Sequence, residues 1–498
     1  MPHWNQYIND FYYPKNTSDD APEKILYFFI REGLCKNPDI NEDISRTEDT
    51  NWEELFKKVK FNEGSRITKY FKEHYLIQLR GGTGGVFPVP FHSSIPNTFM
   101  PMSKNSDRKL DNKGFNKKFL FLFLNDGKNI NYKLIQKLWK TLSTDEGLNY
   151  YERFLLEQIR IKNGISYELK SFEDIQSDIK GLSLDIKKFK CKYQPKQFQQ
   201  DLSFILKLKL SRVDKINWIQ DLIYFHFSTY MYRIYWIIKK EEENFLNDES
   251  DYCSRCTGLT DCPAKGRIIT KSSLSGNTNR ETKQIKQCYR KIKNDILIKG
   301  YYRFIALNQL IRTYNYIKDE KPKGIRDIAS LYKNKTQEFI KVTKDRLKTY
   351  TKLTEQINID NYINEDMILN LFTVIYEIYK EYYELINSRS ADTATVQVYN
   401  KLAGDKMGCK YLRFRTRGEN FYFLNNDFLS FITNIILNNN KQILIHDFWR
   451  ECNLRGFTYA SNREKLNIER QLSNLGHLEK KSDAGESLYV TKTVEEVE

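Results

Sequence analysis

The stretch from about residue 411 onward constrains the fold of this chain more than any other. Residues 411–415 (Tyr-Leu-Arg-Phe-Arg) and 421–424 (Phe-Tyr-Phe-Leu) flank Arg417, Gly418, Glu419 and Asn420, the arrangement of a β-hairpin. Asp427 is placed to cap a helix running to Leu437. Asn438, Asn439 and Asn440 separate it from a second helix over 445–452, which contains Phe448 and Trp449. Gly456 stops that helix. A third starts near Asn462, with Ile468, Leu472 and Leu475 as its inward stripe and Gly476 at its end. Residues 477–481 and 488–492 then flank a turn built around Gly485. Three helices followed by a two-stranded ribbon outline a winged helix-turn-helix.

On the third helix Arg463, Asn467, Arg470 and Asn474 recur at i, i+4, i+7 and i+11 and share one outward stripe. Arg and Asn are the side chains that pair bidentately with guanine and adenine edges in a major groove. Lys480 and Lys481 fall on the ribbon, within reach of phosphate. The competing reading is that many such modules dock proteins and that an exposed Arg/Asn stripe is ordinary surface.

Charge is distributed unevenly. The ninety residues 261–350 hold 22 Lys or Arg against 8 Asp or Glu, a net +14 of the chain's formal +16. A local concentration of this kind is the footprint of a surface that neutralises a polyanion, most often nucleic acid. The alternative is a set of basic helices with solvated faces. Within this block Lys283, Lys286, Arg290 and Lys293 stand at helical spacing around Cys288.

Cys253, Cys256 and Cys262 stand at the leading edge of the basic block. A Cys-x2-Cys pair brings two thiolates to one ion from a single tight turn, and Gly258 and Pro263 suit the turns required. Cys262 adds a third thiol, and Cys288 is the expected fourth. The set is compatible with structural zinc, with a [4Fe–4S] cluster, or with no metal, and no histidine lies nearby to suggest a mixed shell. Cys35, Cys191, Cys409 and Cys452 are scattered and read as small buried apolar residues. This usage suits a reducing cytoplasm.

A chain of 498 residues is expected to form several domains. The pattern predicts a mainly α, helical multi-domain protein. A small mixed α/β domain over 1–130 includes a short helix over 51–60, a Gly/Pro-rich excursion and a buried strand over 119–124 closed by a turn at 125–127. A helical bundle follows over 131–250, then a Cys-knuckle and basic helical domain over 251–410, then the winged helix-turn-helix over 411–498. Helical periodicity is clearest over 216–238, 298–318, 335–354 and 365–387. Ser272 opens a polar loop to 279, and 388–407 is a connector. The apolar run 216–238 contains Asp221, His226 and Arg233, each costly at a bilayer centre, so it is read as a packed helix. The first sixteen residues have no apolar run of the kind a signal peptide needs, and a cytoplasmic location is expected.

Catalytic patterns are weak. The Gly-rich run over 80–85 lacks the Lys and hydroxyl residue of a phosphate loop and is followed by Pro88 and Pro90. Asp178-Ile179-Lys180 and Asp185-Ile186-Lys187 match half of a restriction-nuclease pattern, but in helix-like surroundings. His226 in its apolar helix reads as a satisfied core histidine. No convincing nucleophile–base arrangement emerges, and the residues point to DNA binding without catalysis.

The order of elements also resembles a known family. A small N-terminal domain, a helical middle carrying Cys253, Cys256 and Cys262, and the closing run 475–490 (Leu-Gly-His-Leu-Glu-Lys-Lys-Ser-Asp-Ala-Gly-Glu-Ser-Leu-Tyr-Val) resemble the G subunit of phosphorothioation-dependent DNA restriction systems (DptG). The resemblance implies a prokaryotic anti-phage role in a multi-subunit complex. Two partner subunits, at least one of them an ATPase, would act with it on DNA lacking phosphorothioate modification. It transfers no catalytic residue to this chain. Rival readings are a diverged metal-dependent nuclease, which requires acidic residues converging on a lysine, and a winged-helix transcription regulator, which leaves the +14 block unexplained.

Overall fold

Helices dominate the computed structural model, which describes Phe29–Leu34 and residues 36, 120–125, 129–148, 168–181, 191–247, 253, 256–275, 279–363, 370–386, 412–413, 421–481 and 487–495, apart from 122 and 192. Several sequence expectations lie outside the described residues: the helix over 51–60, the Gly-rich run over 80–85, Asp185 to Lys187, the connector over 388–407, and the turns of both hairpins. The chain divides into two compact units. One takes Pro195–Ile223 with residues between 20 and 186, and the other takes Lys187–Gln194 and Tyr224–Thr493.

In the first unit, Asn131 caps helix α1 (Tyr132–Ser143) by accepting from the Leu134 amide at 3.2 Å, and Leu134, Ile135, Leu138 and Leu142 form its buried stripe. Helix α2 (Phe172–Gly181) carries Asp178, whose carboxylate meets Lys170 Nζ at 2.7 Å, a structural ion pair. Helices α3 (Tyr193–Lys207) and α4 (Arg212–Glu243) contribute one segment each. Gln199 of α3 donates to the Phe123 and Asn125 carbonyls at 3.0 and 2.9 Å, and Arg212 donates to the Leu142 carbonyl at 3.1 Å, which satisfies an end carbonyl of α1. The strand expected over 119–124 is helical at 120, 121 and 123, with the Leu124 amide bonded to the Leu120 carbonyl at 2.9 Å. An unbroken apolar run suits a buried strand or a buried helix equally, and here helical neighbours cover it. Residues 126 and 127 of the turn expected at 125–127 lie outside the described residues, and Asn125 forms an antiparallel bridge with Ile130.

The second unit is built on the rest of α4, which is buried nearly all round. Among the described residues no helix is long and apolar enough to cross a membrane. His226 is fully buried, with the Gln194 amide donating to its Nδ1 at 3.0 Å, a satisfied core histidine. Strand β1 (Ile268–Ser272), helix α5 (Asn279–Lys291) and a π-helical turn (Ile292–Ile298) lead to α6 (Lys299–Lys318). Helix α6 is the central helix of a group with α7 (Ile325–Asn334), α8 (Thr336–Lys348) and α9 (Leu371–Leu385). The helix expected over 335–354 breaks at Thr349–Tyr350 before a single turn (Thr351–Thr354), where the Tyr350 amide bonds back to the Leu347 carbonyl.

The C-terminal module follows the expected order. Strand β2 (Leu412–Arg413) pairs antiparallel with β3 (Phe421–Leu424), as the hairpin requires. Helix α10 (Asn426–Leu437) is capped by Asn425, which accepts from the Phe428 amide at 2.6 Å, and not by Asp427, which lies within its first turn. Strand β4 (Gln442–Leu444), helix α11 (Ile445–Leu454), strand β5 (Phe457–Tyr459), helix α12 (Asn462–Asn474) and strands β6 (Leu478–Lys481) and β7 (Ser487–Thr491) complete it. Gly456 and Gly476 stop their helices with φ of 104° and 74°, a left-handed conformation that favours glycine. The order β4-β7-β6 makes an antiparallel three-stranded sheet.

The segments 251–410 and 411–498 share one sheet. Strand β1 lies between β3 and β5 and runs parallel to both, giving a four-stranded sheet in the order β2-β3-β1-β5. Part of the expected loop is therefore structured: Ser272 ends β1, Ser273 is bonded to Gln471, Ser275 to Glu464, and Asn279 begins α5.

Candidate functional site

The helix with the Arg/Asn stripe is fixed from behind by polar contacts. Ser461 caps α12 by accepting from the Glu464 amide. The Glu464 side chain is buried and accepts from the Ser272 amide and the Ser275 hydroxyl, at 3.1 and 2.6 Å. Gln471 accepts from the Ser272 hydroxyl at 2.8 Å and donates to the Leu424 carbonyl at 2.9 Å. Trp449 of α11 donates to Glu469 at 3.1 Å. Ile468 and Leu472 are fully buried, as expected, whereas Leu475 is only half-buried.

Arg463, Arg470 and Asn474 are exposed on the opposite face. Asn467 departs from the expected stripe: it is half-buried and its amide donates to the Ser275 hydroxyl at 2.9 Å. The strand that pins the back of α12 also captures this edge. Leu466, three residues after Arg463 and four before Arg470, is 55% exposed and completes the face. An exposed apolar side chain there has the chemistry to contact a thymine methyl. On a helical wheel of α12 Leu466 falls beside both arginines, and its apolar side chain carries no polar signal that would mark it as a reader. On the ribbon Lys480 and Lys481 are exposed. The Lys481 ammonium bonds Gln442 at 2.7 Å and lies 5.3 Å from the centre of the Tyr489 ring.

The basic block does not form one continuous charged surface. Lys271 is buried with its ammonium over the Phe421 ring. Arg303 pairs with Glu242 in the core and lies over Tyr376. Arg312 donates to the Tyr350 hydroxyl, and Lys344 and Lys348 both hold Asp360, at 2.9 and 2.8 Å. Part of the +14 is therefore consumed inside the fold. On α5, Lys283 and Arg290 are exposed and Lys286 is half-buried, opposite the buried Ile285 and Tyr289. The Lys293 side chain lies outside the described residues.

The four cysteines of the expected set keep local hydrogen bonds of their own. The Cys256 amide bonds the Cys253 carbonyl at 3.4 Å, closing the knuckle turn, and Lys265 N bonds the Cys262 carbonyl at 3.0 Å. Tyr193, two residues after Cys191, donates its hydroxyl to the Cys256 carbonyl at 3.4 Å and to that of Thr257. Burial pushes the Cys253 thiol well up, and Cys191, Glu241, Cys262 and Cys256 add to the shift. Cys288 stands apart. Its sulfur accepts from the Ile269 amide at 3.4 Å and lies 3.3 Å from the Arg267 carbonyl, both on the β1 side, and Lys291 is the charge that acts on it. Cys191, 62 residues upstream of Cys253, is buried. Among the described residues, no three His, Cys, Asp or Glu side chains stand as placed in a set that could hold a metal ion.

Comparison with known protein families finds no model that matches the chain, and comparison with curated proteins finds no match.

Proposed function

We propose that the C-terminal module is a winged helix-turn-helix that binds duplex DNA, and that the chain is the non-catalytic DNA-binding subunit of a prokaryotic restriction or anti-phage complex. The observation that carries the DNA reading is the exposure of Arg463, Arg470 and Asn474 on one face of a helix whose other face is buried and hydrogen-bonded in place. A reading face needs this rigidity, because a loosely held helix loses the ordering entropy that base contacts must repay. The sheet order β4-β7-β6, with Lys480 and Lys481 on the outer hairpin, supports the wing assignment. The wider role, with an ATPase among its partners, rests on the resemblance to the phosphorothioation-dependent G subunit.

Duplex binding by the full chain, measured as a function of salt, tests this. Affinity should fall steeply as salt rises, because Lys and Arg release counterions from phosphate. Arg463→Ala with Arg470→Ala should weaken binding while stability changes by about 0.5 kcal/mol or less, as exposed positions allow. If either arginine meets a guanine edge, roughly 1–3 kcal/mol of base discrimination disappears with it. Reversal of Lys283, Lys286, Arg290 and Lys293 to Glu should flatten the salt dependence if α5 contributes phosphate contacts. Affinity unchanged in the double-arginine variant would end the reading and assign this face to a protein partner.

A further inference from the structure

Arg233 occupies a costly position. It is 2% exposed on α4, one of its terminal nitrogens donates to the Leu454 carbonyl, and its Nε and other terminal nitrogen have no hydrogen-bond partner. A buried guanidinium is stable only when its charge and its remaining N–H groups are met. One turn further along the same helix Trp236 is also buried, and its indole N–H has no hydrogen-bond partner either. Both side chains line one crevice of about 250 Å³, smaller than the ~300–1,000 Å³ pockets that hold drug-sized ligands.

Two further arginines, Arg267 and Arg455, line the same crevice. Backbone contacts bring them there. Arg233 donates to the carbonyl immediately before Arg455. The Ile268 amide donates to the Gly456 carbonyl at 2.9 Å, which sets Arg267 and Arg455, each one residue earlier, near one another. The Arg267 guanidinium lies 5.1 Å from the centre of the Trp236 ring, and Arg267 is exposed, so it stands at the mouth. Arg455 pairs with Glu451 at 2.7 Å, and no Asp or Glu is among the described residues that line the crevice. Three guanidinium groups against one carboxylate leave two positive charges, with the buried donors of Arg233 and Trp236 still to be satisfied.

We propose that this crevice binds a phosphate group, with Arg233, Arg267 and Arg455 as its charged partners and the Trp236 indole as a further donor. A phosphate dianion carries the charge the crevice lacks. Its tetrahedral oxygens accept from donors contributed by α4, by the segment entering β1 and by the turn entering β5. Guanidinium forks match phosphate oxygens in geometry as well as in charge. A carboxylate, with two oxygens in one plane, offers fewer acceptor directions. The burial of Arg233 limits the ligand to free phosphate or the terminal phosphate of a small ester, because a duplex backbone cannot reach a side chain 2% exposed. The site shares no residue with the outward face of α12, so it stands apart from the DNA reading.

Equilibrium dialysis of the full-length chain against labelled inorganic phosphate, in a chloride buffer of fixed ionic strength, tests the assignment. Wild type should bind about one phosphate per chain with a Kd below about 1 mM. Arg267→Ala, at an exposed position, should weaken binding roughly ten-fold or more, as loss of a charge-assisted hydrogen bond does. Arg233→Met should abolish binding, and its thermal midpoint, unlike that of wild type, should not rise when phosphate replaces chloride. If Arg233→Met fails to fold, Arg267→Ala alone decides. Competition by a nucleoside monophosphate identifies a phosphate ester as the ligand, and its failure to compete identifies free phosphate. No phosphate bound by wild type, or affinity unchanged in Arg267→Ala or in folded Arg233→Met, would overturn the site.

Discussion

Glu464 Oε2 accepts a hydrogen bond from the Ser272 amide at 3.1 Å, across 192 residues of sequence. This bond fastens the first turn of α12 to the last residue of β1, so the face that carries Arg463 and Arg470 is held by a strand from the basic segment.

Replacing Glu464 with Ala should leave the Ser272 amide and the Ser275 hydroxyl without this acceptor in a buried setting. The expected cost is about 1–3 kcal/mol, the penalty of an unsatisfied buried polar group. Glu464→Gln, which keeps one acceptor oxygen, should lose less. Urea unfolding with an unchanged m-value is the measurement, and equal stability of all three proteins would show that the tie contributes nothing.

His477 should give the C-terminal module an acid-sensitive stability. It is fully buried at the start of the ribbon, with Nδ1 2.9 Å from the Thr491 carbonyl and Nε2 2.9 Å from the Ser430 hydroxyl. Burial holds its pKa below the ordinary 6.5, and the Thr491 carbonyl offsets this only in part. The unfolded chain therefore binds the proton more readily. The stabilising contribution is complete above pH 6.5 and is lost as pH falls through the folded-state value. His477→Gln, with a donor and an acceptor of similar reach, should reduce the pH dependence of unfolding between pH 7 and 5 (about the range in which histidine titrates). An identical slope in the variant would assign the acid sensitivity elsewhere.

Gly300 allows α6 to approach α4. A Cβ built at this position would lie 2.5 Å from the Tyr235 ring, too close for any rotamer adjustment at Gly300 to relieve. Gly300→Ala should therefore destabilise by about 1–3 kcal/mol through overpacking, although alanine is the better helix former by about 1 kcal/mol. Pairing it with Tyr235→Ala should recover part of the loss, and a thermal unfolding series on the four proteins reads the coupling.

The sequence by itself determined the local punctuation of this protein. The hairpin around 411–424, the three closing helices and their glycine stops, and the burial of Ile468 and Leu472 all follow from short-range rules. Caps, left-handed glycines and helical period act within a few residues, so they can be read without knowing what lies across the core. Even the cap expected at Asp427 falls only two positions away, at Asn425, in a correctly placed element.

The tertiary structure decided what depends on distant partners. The β-branched run Ile268-Ile269-Thr270 is a strand signal, but only its pairing with 423–424 and 457–459 makes it the strand that joins the basic segment to the C-terminal module. The same pairing draws Asn467 out of the exposed stripe through Ser275. Which positive charges reach solvent was also settled by packing, with Lys271 over Phe421 and Arg303 against Glu242. Cys288 is a further case: its spacing within the basic block does not reveal its partners, and packing sets its sulfur against the Ile269 amide and the Arg267 carbonyl. Such partners are chosen by how the chain folds back, through burial and hydrogen bonding across tens to hundreds of residues.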